Sequence, residues 1–270
     1  MKGKFFAAIA FAAALLITGC GGQSGSDNAK ETTFKIGASP VPHAELLSQV
    51  KSDLKAEGIN LEIVEFNDYV QPNIALNDKE LDANFFQHEP YLNDFIKEHK
   101  DIKLVNAGGI HVEPMGIYSN KIQDLTELTD NSTVSIPNDP TNGGRALLLL
   151  QKANLIKLKD GANETATIQD ITENPKNLVI QEVEAAQLPR TLEDVTVSII
   201  NTNFAMNAGL NPMRDALFIE DSTSPYVNII AVREGDENRE DVKKLITALK
   251  SEKMKKYIED KFKGAIVPAF

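Results

Sequence analysis

The 270-residue sequence contains one cysteine, Cys20, and no tryptophan. A single cysteine excludes an intramolecular disulfide framework and any zinc site built on paired cysteines. Sixteen glycines and twelve prolines are no excess, which excludes collagen-like and mostly disordered chains. Basic residues are in deficit: 28 Lys and Arg against 39 Asp and Glu give a net charge of −11. Nucleic-acid binding, which rests on neutralising phosphates, is therefore not expected. Enzyme signatures are missing too, with no GxSxG, P-loop, HExxH or GxGxxG motif. The four histidines, His43, His88, His99 and His111, occur singly without ligand spacing, so neither a metal site nor a cofactor is expected. What remains, 42% hydrophobic and 25% charged, suits a globular protein with a sizeable core, as one large domain or two lobes of ~100–150 residues.

The N-terminus reads as an address. Lys2 and Lys4 precede Phe5–Ile17, an apolar run too short to span a bilayer, for which ~20 residues are needed. A basic start, a short apolar stretch and small residues describe a secretory signal peptide over 1–19. Leu16-Ile17-Thr18-Gly19-Cys20 resembles a bacterial lipobox, which implies cleavage before Cys20 and lipid on its thiol and amine. The alternative is an ordinary signal peptide with an incidental cysteine. Loss of Lys2 and Lys4 would take the net charge from −11 to −13. Residues 20–33 then form a lipidated cysteine and a polar tether, and ~11 such residues span ~18 Å as a random coil. The body would sit at the extracytoplasmic face of a cell membrane, held by acyl chains rather than by basic residues.

The remainder alternates strands and helices. Strands are expected at Phe34–Ala38, Leu61–Phe66 and Leu81–Phe86, with helices from about His43 to Glu57 and Val70 to Asn77, and a further one bearing Tyr91, Leu92, Phe95 and Ile96. The order recurs: a strand at Thr133–Pro137, a turn at Asn138–Thr141, a helix from about Gly143 to Asn154, strands at Leu178–Val183 and Val195–Ile200, and a short helix over Ala185–Leu192 between them. A strand at Tyr226–Arg233 and two amphipathic helices follow, and their economical placement is back on the first lobe. Such alternation predicts an α/β fold with parallel-type sheets and a ligand cleft between two lobes. The lobes are expected to comprise 34–115 plus 226–270, and 116–225.

Three segments concentrate candidate site residues. In Asn84–Tyr91, Phe86, His88 and Tyr91 crowd one strand-to-helix turn, with Tyr69 at the start of the preceding helix. They could box an apolar side chain, or form a core cluster. In Ile136–Arg145, Thr141 or Asn142 can cap the helix, the glycine pair permits close approach of a ligand backbone, and Arg145 offers a fork to a carboxylate. Arg145 could instead pair with a nearby Asp at the surface. In Asn201–Asn203 and at Asn228, amide oxygens could accept from an ammonium, or serve as turn residues.

The stretches NFFQHEPYL, HVEPMGIYS, IPNDPTNGGRALLLLQ, ENPKNL, QLPRTL, INTNFA and SPYVNII together resemble the NlpA/MetQ family, the methionine-binding lipoproteins of bacterial ABC importers. The resemblance runs from the lipobox to the C-terminal helices. It implies a two-lobed periplasmic-binding-protein fold (type II-like), no enzymatic activity, and delivery of methionine to a permease driven by a cytoplasmic ATPase. It implies Tyr69, Phe86, His88 and Tyr91 around the thioether, Arg145 on the α-carboxylate, and Asn203 and Asn228 at the backbone end. Asn203 departs from the pattern, since many members carry Thr or another small polar residue there. A methionine-containing dipeptide or another amino acid in the same fold, and a surface adhesin without a transport role, are the competing readings.

Overall fold

The computed structural model describes residues 31–221 and 224–270; the signal peptide, Cys20 and nearly all of the tether lie outside them. The chain starts with β1 (Thr32–Ala38), β2 (Ile59–Glu65), β3 (Ala83–His88) and β4 (Leu104–Val112). It continues with β5 (Gly116–Tyr118), β6 (Thr133–Pro137), β7 (Lys157–Leu158), β8 (Ile171–Glu173), β9 (Val179–Val183), β10 (Val197–Ile200) and β11 (Phe218–Ile219), and ends with β12 (Val227–Arg233) and β13 (Val267–Pro268). The α-helices are α1 (Glu45–Ala56), α2 (Gln71–Asn77), α3 (Glu89–Glu98), α4 (Pro140–Lys152), α5 (Leu188–Thr191), α6 (Thr202–Asn207), α7 (Pro212–Asp215), α8 (Glu240–Leu249) and α9 (Glu252–Phe262).

Two sheets form the framework of a two-lobed α/β fold, with strand orders β13-β4-β12-β3-β1-β2 and β11-β5-β10-β6-β9. Neither is purely parallel. In the first, β2, β1 and β3 run parallel, and β12 joins β3 antiparallel. In the second, β9, β6 and β10 run parallel, and β5 joins β10 antiparallel. The internal repeat visible in the sequence is thus a repeat of three parallel strands followed by an antiparallel one, β12 or β5, beyond which the sheets continue with β4 and β13 and with β11.

Each sheet has its own core. Phe34, Ile36, Leu46, Leu47, Val50 and Leu54 pack with Ile230, Val232, Leu245 and Ile258 on the first. Ile117, Val134, Ile136, Leu147, Leu150, Val197 and Ile199 pack on the second. The 3.6-residue spacing of Leu46, Leu47, Val50 and Leu54 is therefore the buried stripe of α1.

Two local expectations change. Helix α4 begins earlier than the glycine pair: Pro140 occupies its first turn and Asp139, not Thr141 or Asn142, is the N-cap, accepting from Asn142 N at 3.0 Å. Proline needs no amide partner at that position, so it starts the helix. The glycines serve the fold rather than a ligand. A Cβ at Gly144 would meet the Glu164 carbonyl oxygen at 2.2 Å, and one at Gly143 would meet the Pro137 oxygen at 2.9 Å.

Candidate functional site

The crossings between sheets are short and adjacent. The first is Glu113–Met115, between β4 and β5. The second follows β11 at Glu220 and reaches β12 at Val227; Ser222 and Thr223 within it are outside the described residues. Glu220 N donates to Met115 O at 3.0 Å, and Met115 N donates to Glu220 Oε2 at 3.0 Å. A narrow cavity lies beside this paired crossing, with walls from both sheets and from the turns that follow β3, β10 and the start of α4.

One end of the cavity is aromatic. Tyr69, from the turn before α2, lies 5.8 Å from Phe86 and 5.7 Å from Tyr91 between ring centroids. It also lies 4.8 Å from Phe204 of α6, so the aromatic wall joins the two lobes. Its hydroxyl donates to Asn203 Oδ1 at 2.5 Å, and Tyr91 Oη donates to the Tyr69 carbonyl at 3.0 Å. Burial pushes both phenols well above their usual range, so they remain neutral donors.

His88 ends β3 and caps α3. Its Nδ1 accepts from Tyr91 N at 3.1 Å, so the ring proton resides on Nε2, which donates to Asn142 Oδ1 at 3.1 Å. Burial first, and the Arg145 charge second, lower its pKa to about 3, keeping the ring neutral. Asn142 Oδ1 also accepts from Asn201 Nδ2 at 2.7 Å, and Asn142 Nδ2 donates to both oxygens of Asp139. Behind Phe86, Asn73, Asn84 and Gln87 exchange buried amide hydrogen bonds of 2.7–3.0 Å, fixing β3 against α2.

The other end is charged. Arg145 is 2% exposed and pairs with a carboxylate, though not at the surface and not with an aspartate. Its Nε donates to Glu220 Oε1 at 2.8 Å, and its Nη2 donates to Glu220 Oε2 at 2.5 Å and to the Glu113 carbonyl at 2.7 Å. The guanidinium lies 4.2 Å from the Tyr226 ring centroid. Among the described residues Nη1 donates to nothing, which leaves a fixed pair of N–H groups at the cavity.

All seven ligand-site residues expected from the sequence, Tyr69, Phe86, His88, Tyr91, Arg145, Asn203 and Asn228, line this one cavity. Five more line it: Gln87, Asn201 and Thr202, which lie within the segments singled out from the sequence, Asn142, expected there only as a cap, and Glu113, which lies outside all three segments. The only available signal for Glu113 is its position in His-Val-Glu-Pro-Met, an acid just past an apolar strand and before a proline. His43 and His111, distant in sequence, also come together here, both fully buried against Glu113.

Residues 34–270 match the family described as NlpA lipoprotein. The chain belongs to the NlpA lipoprotein family. D-methionine-binding lipoprotein MetQ of Escherichia coli K12 is 45% identical over 269 residues, 98% of each chain. A nutrient-binding protein from Burkholderia cenocepacia, solved bound to methionine, superposes with a TM-score of 0.83 at 47% identity, covering 88% of this chain and 100% of that one. An ABC-transporter periplasmic substrate-binding protein from Coxiella burnetii gives 0.83 at 45% identity, covering 87% and 100%. The NlpA resemblance read from the motifs is thus a family membership over nearly the whole body, and the fold is that of these two-lobed binding proteins.

Proposed function

We propose that this chain is a lipid-anchored receptor that captures methionine between its lobes and delivers it to an ABC permease with a cytoplasmic ATPase. The observation that carries the reading is the split character of the cavity, rings at one end and a fixed guanidinium at the other. A thioether needs a polarizable apolar slot, and a zwitterion needs fixed polar groups beyond it. Tyr69, Phe86, His88 and Tyr91 would surround the side chain, Arg145 Nη1 would take the α-carboxylate, and Asn203 and Asn228 would complete the backbone end. Residues 34–115 with 226–270, and 116–225, are the lobes that would close on it. The names and ligand of the relatives support methionine over the other amino acids.

Lipid on Cys20 would hold the receptor on the extracytoplasmic face of the membrane; among the described residues no helix is long and apolar enough to cross one. Protein purified without added ligand, then denatured, is expected to release methionine to mass spectrometry, and the emptied protein to bind it saturably in calorimetry. Release of a different metabolite with no heat on adding methionine would overturn the assignment. Cys20→Ala is expected to move the protein from the membrane to the soluble fraction without changing ligand affinity; retention in the membrane would refute the anchor.

A further inference from the structure

His88, at the end of β3, and Asn142, in the first turn of α4, join the two sheets through one bond of 3.1 Å from Nε2 to Oδ1. Each link in that bond has a fixed direction. The backbone Tyr91 N can only donate, so His88 Nδ1 accepts and the ring proton on Nε2 must meet an oxygen. The Asn142 amide could turn either its oxygen or its NH₂ towards the ring, two arrangements of nearly one shape. Asp139 decides between them. Its carboxylate only accepts, and Asn142 Nδ2 donates to its two oxygens at 2.9 and 3.0 Å. That leaves Asn142 Oδ1 for His88 and for Asn201 Nδ2, which donates to it at 2.7 Å.

Capping α4 does not require this much. The cap is one bond, from Asn142 N to Asp139 Oδ1 at 3.0 Å, and a serine or asparagine would supply it equally well. Oδ2 has no part in the cap; among the described residues it accepts from Asn142 Nδ2 alone. The hydrogen-bond partners of the Asp139 carboxylate are neutral, Asn142 and the Thr141 hydroxyl. Burial pushes its pKa up, and these donors pull it down. Desolvating a carboxylate without a cation costs more than placing a neutral cap. The second oxygen is therefore where the aspartate differs in use from a neutral cap. Asp139 is not among the residues that line the cavity, so it reaches the site only through Asn142.

We propose that Asp139 is a positioning residue for lobe closure: by holding the Asn142 NH₂ it keeps the Asn142 oxygen turned to His88, and so sets how long the closed receptor retains its ligand. This rests on capture between the lobes as proposed above. The chain runs one way, from Tyr91 N–H through His88 and Asn142 to Asp139, with a donor facing an acceptor at every link. The link between the sheets forms only when the lobes have met. Its loss therefore shortens residence and leaves the encounter with ligand unchanged.

The test measures methionine exchange on the full chain: association by stopped-flow tyrosine fluorescence, and dissociation by chasing isotope-labelled methionine with unlabelled. Asp139→Asn and Asp139→Ser both keep a strong helix cap and remove the double acceptor. In both, dissociation should quicken ~10-fold, the lower end of the worth of a hydrogen bond to a charged group. Association should stay within about threefold. Nitrogen NMR on histidine-labelled, methionine-loaded protein supplies a signature that a cap alone would not move. His88, assigned by its loss in His88→Gln, should show a slowly exchanging proton on Nε2, and both variants should lose that protection. Unchanged dissociation in both variants would reduce Asp139 to a cap and overturn the proposal. So would faster release with the His88 signal intact, or a loss of helical circular dichroism in step with the loss of affinity. A His88 ring protonated on Nδ1 in the unaltered protein overturns it without any variant. If methionine does not bind the unaltered protein, the ligand assignment fails separately, and the same rates are read with the ligand that co-purifies.

Discussion

Arg145 is held at three points by the protein itself: twice by Glu220 and once by the Glu113 carbonyl. Truncation therefore does two things. Arg145→Ala removes the N–H pair available to a ligand carboxylate and strands Glu220 without its cation. Methionine affinity should fall by ~2–5 kcal/mol in calorimetry, and the melting temperature should fall with it, because one half of a shielded ion pair is left alone. Arg145→Lys should not restore affinity, since a single ammonium cannot serve Glu220 and a ligand together. Unchanged affinity in both variants would remove Arg145 from the site. At this scale the sequence is informative where chemistry is local. An arginine one turn into a helix, just before a buried leucine run, announces a fixed fork. Its partner Glu220 is 75 residues away in an unmarked context, and only the fold brings the two together. The same holds for His43 and His111, whose shared neighbour Glu113 no spacing rule could supply.

Among the elements, alternation and helical periodicity are legible and irregularity is not. Strands β1, β2, β6 and β12 appear within two residues of their expected ends because their apolar residues face one core. The nine-residue β4 escapes the pattern. Its register shifts twice against β12, around Gly108 and Gly109, so apolar and polar residues fall out of step. Helix α4 misleads differently, since Asp139, Thr141 and Asn142 are all capping types and only Pro140 decides among them. Its glycines are a packing requirement, which gives a direct test. Gly144→Ala would drive a methyl group onto the Glu164 carbonyl, and stability should drop by roughly 1–3 kcal/mol in urea titration. An unchanged midpoint would mean that the Glu164 loop yields freely.

For the whole molecule, three buried neutral histidines impose a pH dependence. Burial lowers His43 to about 4 and His88 and His111 to about 3, against 6.5 for the free group. The unfolded chain binds these protons first, so their contribution is full above pH 6.5 and is lost as pH falls towards 4 and then 3. Each contributes a slope of up to ~1.4 kcal/mol per pH unit in that window. Burial raises Glu113 and Asp139, which take up protons more readily when folded and offset part of the loss at the acidic end. Urea midpoints should therefore decline between pH 7 and 5; a flat profile would show that these rings are hydrated.

The paired crossing has a mechanical meaning. The two crossings are tied side by side at Met115 and Glu220, by one backbone bond and one bond to the Glu220 carboxylate, so they would bend together rather than separately. Arg145 grips both crossings, and Glu113 is part of one of them. A carboxylate seated on Arg145 would press on the pivot itself, while the rings at the far wall act at the end of the lever. The charged end of the ligand would then set the angle of closure, and its side chain would decide whether that angle can be held.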